Sequence, residues 1–127
     1  MSAAYFTGPG APTQIKTTSL DTTVRRLDLP AGTYLIVASG RLESFTNSGL
    51  FDNGVRHVSC RLTAGGTTVN RGVTLGPALA AGAAQTVAFD LVHSFASSGT
   101  AEVHCWVANI VDNVLAFDTT ISAIKAG

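Results

Sequence analysis

Residues 84–95 read Ala84-Gln85-Thr86-Val87-Ala88-Phe89-Asp90-Leu91-Val92-His93-Ser94-Phe95, and this stretch decides the fold. Val87, Phe89, Leu91, His93 and Phe95 alternate with Thr86, Ala88, Asp90 and Ser94. A period of two places one set on the buried side of a sheet and the other toward solvent.

The same alternation recurs on either side. Val58, Cys60 and Leu62 oppose His57, Ser59, Arg61 and Thr63 within residues 55–64. Gly65-Gly66 follows as a two-residue hairpin turn, leading to a strand at 67–75. Ser97-Ser98-Gly99 turns the chain into residues 100–108, where Ala101, Val103, Cys105 and Val107 share a face. Upstream, Leu29-Pro30-Ala31-Gly32 makes a turn into a strand at 33–45, with Tyr34, Ile36, Ala38 and Leu42 on one face. Shorter extended pieces at 14–20 and 24–29 and a last strand at 114–125 complete the set. The one helical candidate, 77–84, is confined to about one turn by Pro77 and Gly82. The reading is an all-β chain: an eight-stranded antiparallel jelly-roll sandwich over residues 14–127. Residues 1–13, crowded with Gly and Pro, precede it as an irregular arm.

The chain has 127 residues, enough for one domain with a real core, and 46% of them are hydrophobic. Only 13% are charged, with eight acidic and eight basic side chains. A formal charge of zero gives no electrostatic case for nucleic acid or an anionic membrane, and it offers little repulsion between copies. No apolar run approaches the roughly 20 residues that span a bilayer. The first ten residues have neither a basic start nor an apolar stretch, so no secretory leader is expected there.

Three segments resemble small bacterial and phage domains of the C1q/TNF-like jelly-roll type. They are Leu29-Pro30-Ala31-Gly32-Thr33-Tyr34-Leu35-Ile36-Val37, Val58-Ser59-Cys60-Arg61-Leu62 and Ile121-Ser122-Ala123-Ile124-Lys125-Ala126-Gly127. The likeness covers roughly residues 14–127, and its motifs are structural. It implies sandwiches that form compact homotrimers and serve as fibre tips, capsid decorations or ligand-binding heads. The function expected on that basis is a non-catalytic structural subunit of a virion or similar particle, of decoration or fibre-head type. A carbohydrate-binding head domain, secreted or at a cell surface, is the alternative.

In an eight-stranded jelly roll the fourth and seventh strands are antiparallel neighbours, and they carry Cys60 and Cys105 on their apolar faces. The two are candidates for a disulfide, or else stand as a pair of buried thiols. If Cys60 faces Cys105, then Ser59 faces Trp106, Arg61 faces His104 and Thr63 faces Glu102. Trp106, the single tryptophan, then stands on the polar side near Arg61, His104 and His57. Such a ring can anchor a protein interface, stack on a glycan, or simply lie under a loop. Phe89, Leu91 and Phe95, with Phe117, are the candidate trimer interface. Tyr5 and Phe6 give the arm two aromatic rings, expected to dock on a partner chain; the alternative is that they plug the end of their own sandwich.

No catalytic site, cofactor or metal is expected. Neither a nucleophile elbow nor a phosphate-cradling glycine loop is present, and no helix pairs histidines around a glutamate. His57 and Cys60 point to opposite faces, as do His104 and Cys105, which excludes a zinc site built from the four. Asp52-Asn53 and Asp112-Asn113 offer calcium-type oxygens, but they are also ordinary turn residues. His93 falls on an apolar face, where a hydrogen-bonded core or interface role is the default.

Overall fold

The computed structural model describes residues 4–8, 10–15, 22–45, 55–76, 83–107 and 114–126. The one-turn helical candidate at 77–84 falls mostly outside them, as do Asp52-Asn53, Asp112-Asn113 and the expected extension of the first strand over 16–20.

Among the described residues nine strands run in chain order: β1 Ala4–Thr7, β2 Thr13–Ile15, β3 Thr22–Leu29, β4 Gly32–Ser44, β5 Arg56–Ala64, β6 Thr67–Leu75, β7 Ala84–Phe95, β8 Gly99–Val107 and β9 Val114–Ala126. They form two antiparallel sheets. The first has the order β1-β9-β4-β7, with β2 also on β9; the second has the order β3-β8-β5-β6. Apart from the β5–β6 hairpin and β1–β2, consecutive strands lie in opposite sheets. The two sheets stack as a jelly-roll sandwich.

Alternation builds the interior. Tyr34, Ile36, Ala38 and Leu42 from β4 and Val87, Phe89 and Leu91 from β7 are buried. They meet Val58, Cys60, Leu62 and Ala64 from β5 and Ala101, Val103, Cys105 and Val107 from β8. Burying a side chain of this kind contributes about 1.5–3 kcal/mol, so the shared core is the main stabilising term. Phe89 and Leu91 are only 2% and 6% exposed. Their expected place at a trimer interface is therefore corrected: the parity that makes β7 legible turns Phe89 and Leu91 into the sandwich and leaves Asp90 and Val92 on its outer face.

The hairpin between β5 and β6 turns at Gly65-Gly66, where Gly65 takes φ +57. That conformation suits glycine at the first corner of such a turn. The turn also lies against the ring of His93 on β7, leaving no room for a Cβ at Gly65. His93 Nδ1 is 2.8 Å from Thr67 Oγ1, so an imidazole on the apolar parity of its strand has a partner.

Two features differ from the expected pattern. Within residues 1–13, Ala4–Thr7 is not irregular but pairs along β9, Ala4 opposite Ile124 and Thr7 opposite Ile121. The strand is four residues long and flanked by Gly8, so its alternation is too brief to stand out. The second is a bulge in β9. Pairing with β4 steps from Ser39↔Thr120 to Arg41↔Phe117, with Asp118 at φ 53. Phe117 and Asp118 consequently both leave the core, and Thr119 enters it. Gly8, at φ +101, packs on the Thr119 carbonyl, which also accepts a bond from Arg25 Nε at 3.1 Å. The bulge thus joins the N-terminal segment, β9 and the second sheet.

Candidate interaction surfaces

The sandwich has two unlike outer faces. On the first sheet, direct pairing aligns Ala4, Ile124, Leu35 and Val92 in one row across β1, β9, β4 and β7. The next row holds Phe6, Ser122, Val37 and Asp90. Val92 is 63% exposed, Phe6 62% and Ile124 50%, with Leu35 and Val37 little less. These form an apolar stripe whose two rows contain a single charge, Asp90. Toward the bulge the face becomes polar: Arg41 stacks over the Phe117 ring at 5.9 Å and pairs with Glu43 at 2.7 Å.

Sequence reasoning missed this stripe, although a signal was present. Leu35-Ile36-Val37 and Leu91-Val92 are apolar on both parities, the mark of a strand covered on both faces. Of the four residues expected at an interface, Phe95 is half-buried, edge-on to Tyr34 at 6.2 Å and to His93 at 4.6 Å. Phe117 lies beneath Arg41, away from Phe89 and Leu91 in the core.

The two arm aromatics separate. Tyr5 turns inward, half-buried and edge-on to Tyr34 at 5.9 Å, while Phe6 turns outward into the stripe. The expectation that both rings serve a partner chain is corrected for Tyr5, which closes its own sandwich. Tyr34 donates to the Pro30 carbonyl at 2.9 Å; burial, with Tyr5 alongside, pushes its phenol above the ordinary value.

The second sheet presents polar groups. Cys60 and Cys105 stand opposite each other, joined as a disulfide inside the core. Their register carries Ser59 to Trp106, Arg61 to His104 and Thr63 to Glu102 on the outer side. The Arg61 guanidinium lies 5.7 Å from the centre of the half-buried Trp106 ring. His104 Nε2 is 3.0 Å from Glu102 Oε2, and its Nδ1 is 3.3 Å from Thr23 Oγ1 on β3. His57 turns to β6 instead, with Nδ1 3.3 Å from Thr74 Oγ1. The structure therefore brings Trp106, Arg61 and His104 together, and His57 flanks them.

Arg56, which sequence reasoning did not single out, is fully buried at the start of β5 and donates to the Phe45 carbonyl at 3.1 Å. Among the described residues no group of three or more His, Cys, Asp or Glu side chains is placed to hold a metal ion. Among the same residues no helix is long and apolar enough to cross a membrane, which says nothing of a β-barrel.

An antiparallel jelly-roll sandwich with one apolar and one polar face is the class of protein this geometry defines. No protein-family model matches the sequence, and no curated protein matches it. Solved structures share the fold. The infectious bursal disease virus Gx strain structure aligns with TM-score 0.56 and 12% identity, over 100% of this chain and 32% of that one. The VP2 subviral particle of the same virus aligns at 0.53 and 13%, over 99% and 33%. The globular domain of zebrafish complement 1qA aligns at 0.49 and 10%, over 94% of each chain. The chain spans about a third of the length of the viral proteins it matches.

Proposed function

We propose that this chain is a non-catalytic structural subunit of a virion or similar particle, a capsid decoration or fibre-type protein that works as a homotrimer. The observation that carries the reading is the in-register apolar stripe of Phe6, Leu35, Val37, Val92 and Ile124 on one outer face. Contiguous exposed apolar surface on a folded domain marks a contact site. A second and third copy are its occupants: the formal charge is zero, and a nearly uncharged stripe presents no repulsion to its own image. The fold shared with viral particle proteins supports the setting. In such an assembly the second sheet faces outward, presenting Trp106, Arg61 and His104 to another particle protein. Arg61 already lies over the indole, which suits a protein contact better than a sugar stacked on that face.

The test is mass in solution across the micromolar range, for the native chain and for Leu35→Asp. The native chain should run as a trimer and Leu35→Asp as a folded monomer. A strictly monomeric native chain at all concentrations overturns the trimer.

A further inference from the structure

Where the edges of the two sheets meet, β1 of the first beside β3 of the second, a cleft of about 780 Å³ opens at the Pro30 and Ser98 end of the sandwich. Its size falls within the range of small-molecule sites, about 300–1,000 Å³. Tyr5 and Pro30 give it apolar walls, and Arg26, Asp28, Ser98 and Thr100 supply polar atoms.

The polar lining is balanced. Arg26 Nε donates to Asp28 Oδ1 at 3.1 Å, so one positive and one negative group cancel within the cleft. That contact uses one donor of the guanidinium fork and one carboxylate oxygen. The fork's other donors and the second oxygen point to a ligand that both gives and takes hydrogen bonds. Thr100 Oγ1 donates to Glu102 Oε1 at 3.4 Å, which leaves its lone pairs as acceptors. A net-neutral set of donors and acceptors against an aromatic wall discriminates against anions and cations alike. It suits adjacent hydroxyls on a ring with an apolar face.

We infer that this cleft binds a neutral sugar, with Asp28 and Arg26 holding neighbouring hydroxyls and Tyr5 lining the apolar side. The site lies apart from Trp106 and does not depend on the trimer, so either proposal can fail alone.

Nitrogen-15-labelled full chain, titrated with glucose, galactose, mannose and N-acetylglucosamine, tests it by amide chemical shifts. Glucosamine and N-acetylneuraminic acid serve as charged probes. At least one neutral sugar should give saturable shifts at Asp28, Ser98 and Thr100, with weaker binding of both charged probes. Asp28→Ala should reduce the affinity about tenfold or more, the loss of a hydrogen bond to a charged group. Asp28 is 79% exposed, so its removal leaves the melting temperature as a control for folding. Absence of saturable shifts from every neutral sugar overturns the inference. Shifts centred on Trp106, preference for a charged probe, or unchanged affinity in Asp28→Ala does so equally.

Discussion

At the scale of single residues, adjacent side chains in β1 have opposite tasks. Tyr5 packs on Tyr34 inside the sandwich, and Phe6 stands in the outer stripe. Tyr5→Ala should lower stability by about 2 kcal/mol through lost ring packing, read by urea unfolding. Phe6→Ala should stay within about 0.5 kcal/mol of the native chain, yet shift the trimer toward monomer in sedimentation. If Phe6→Ala destabilises the fold as much as Tyr5→Ala, the outward role assigned to Phe6 is wrong. The cysteines make a second residue-scale case. Cys60 and Cys105 are separated by 45 residues in sequence, and closing such a loop stabilises by about 4 kcal/mol in the chain-entropy model. Reductant should therefore lower the melting temperature, and the unreduced, denatured chain should titrate no thiol. That these two positions are neighbours could be read in advance because a jelly roll pairs their strands and each cysteine shares the apolar parity of its own; whether they are bonded or stand as thiols could not. Arg56 could not. It shares that parity with Val58 and Cys60, but its charge argues for solvent. The Phe45 carbonyl, eleven residues upstream, is a partner that helps this burial to be tolerated, and no local pattern announces it.

At the scale of elements, long strands were legible and short or irregular ones were not. β4, β5, β7 and β8 each carry four or more alternating positions, so tertiary packing and local pattern agree. β1 has four residues in all, and its pairing partner is at the other end of the chain. No local pattern announces such a contact. The β9 bulge shows a different limit: one added residue at Asp118 reverses which side each position faces, so parity counted from Ile121 fails beyond Thr119. On the facing strand, a Cβ at Gly40 would come 2.8 Å from Thr119 Oγ1. Gly40→Ala must therefore push Thr119 aside, at a cost of about 1–3 kcal/mol in chemical denaturation. An unchanged midpoint would mean that the bulge yields freely, and with it the anchorage of Gly8 and Arg25 on the Thr119 carbonyl.

At the scale of the whole molecule, the two outer faces set an orientation. The stripe on the first sheet gains by leaving water, whereas the second sheet's outer face is already satisfied through Arg61 on Trp106 and His104 between Glu102 and Thr23. Assembly driven by the stripe should therefore persist or strengthen with added salt, since screening weakens only contacts between charges. Single cysteines placed on each face can report which one is covered. Ser122 lies in the stripe between Phe6 and Val37, and Thr74 is exposed on β6 at the edge of the second sheet. In Ser122→Cys and Thr74→Cys, the maleimide reaction should be comparable when the chain is dilute and monomeric. On assembly the Ser122→Cys rate should fall about tenfold or more, because a dry contact leaves the thiol little access to reagent. The Thr74→Cys rate should hold until a particle partner is added. Slowing at Thr74→Cys alone would reverse the orientation, placing the polar sheet at the contact between copies and leaving the apolar stripe for the particle.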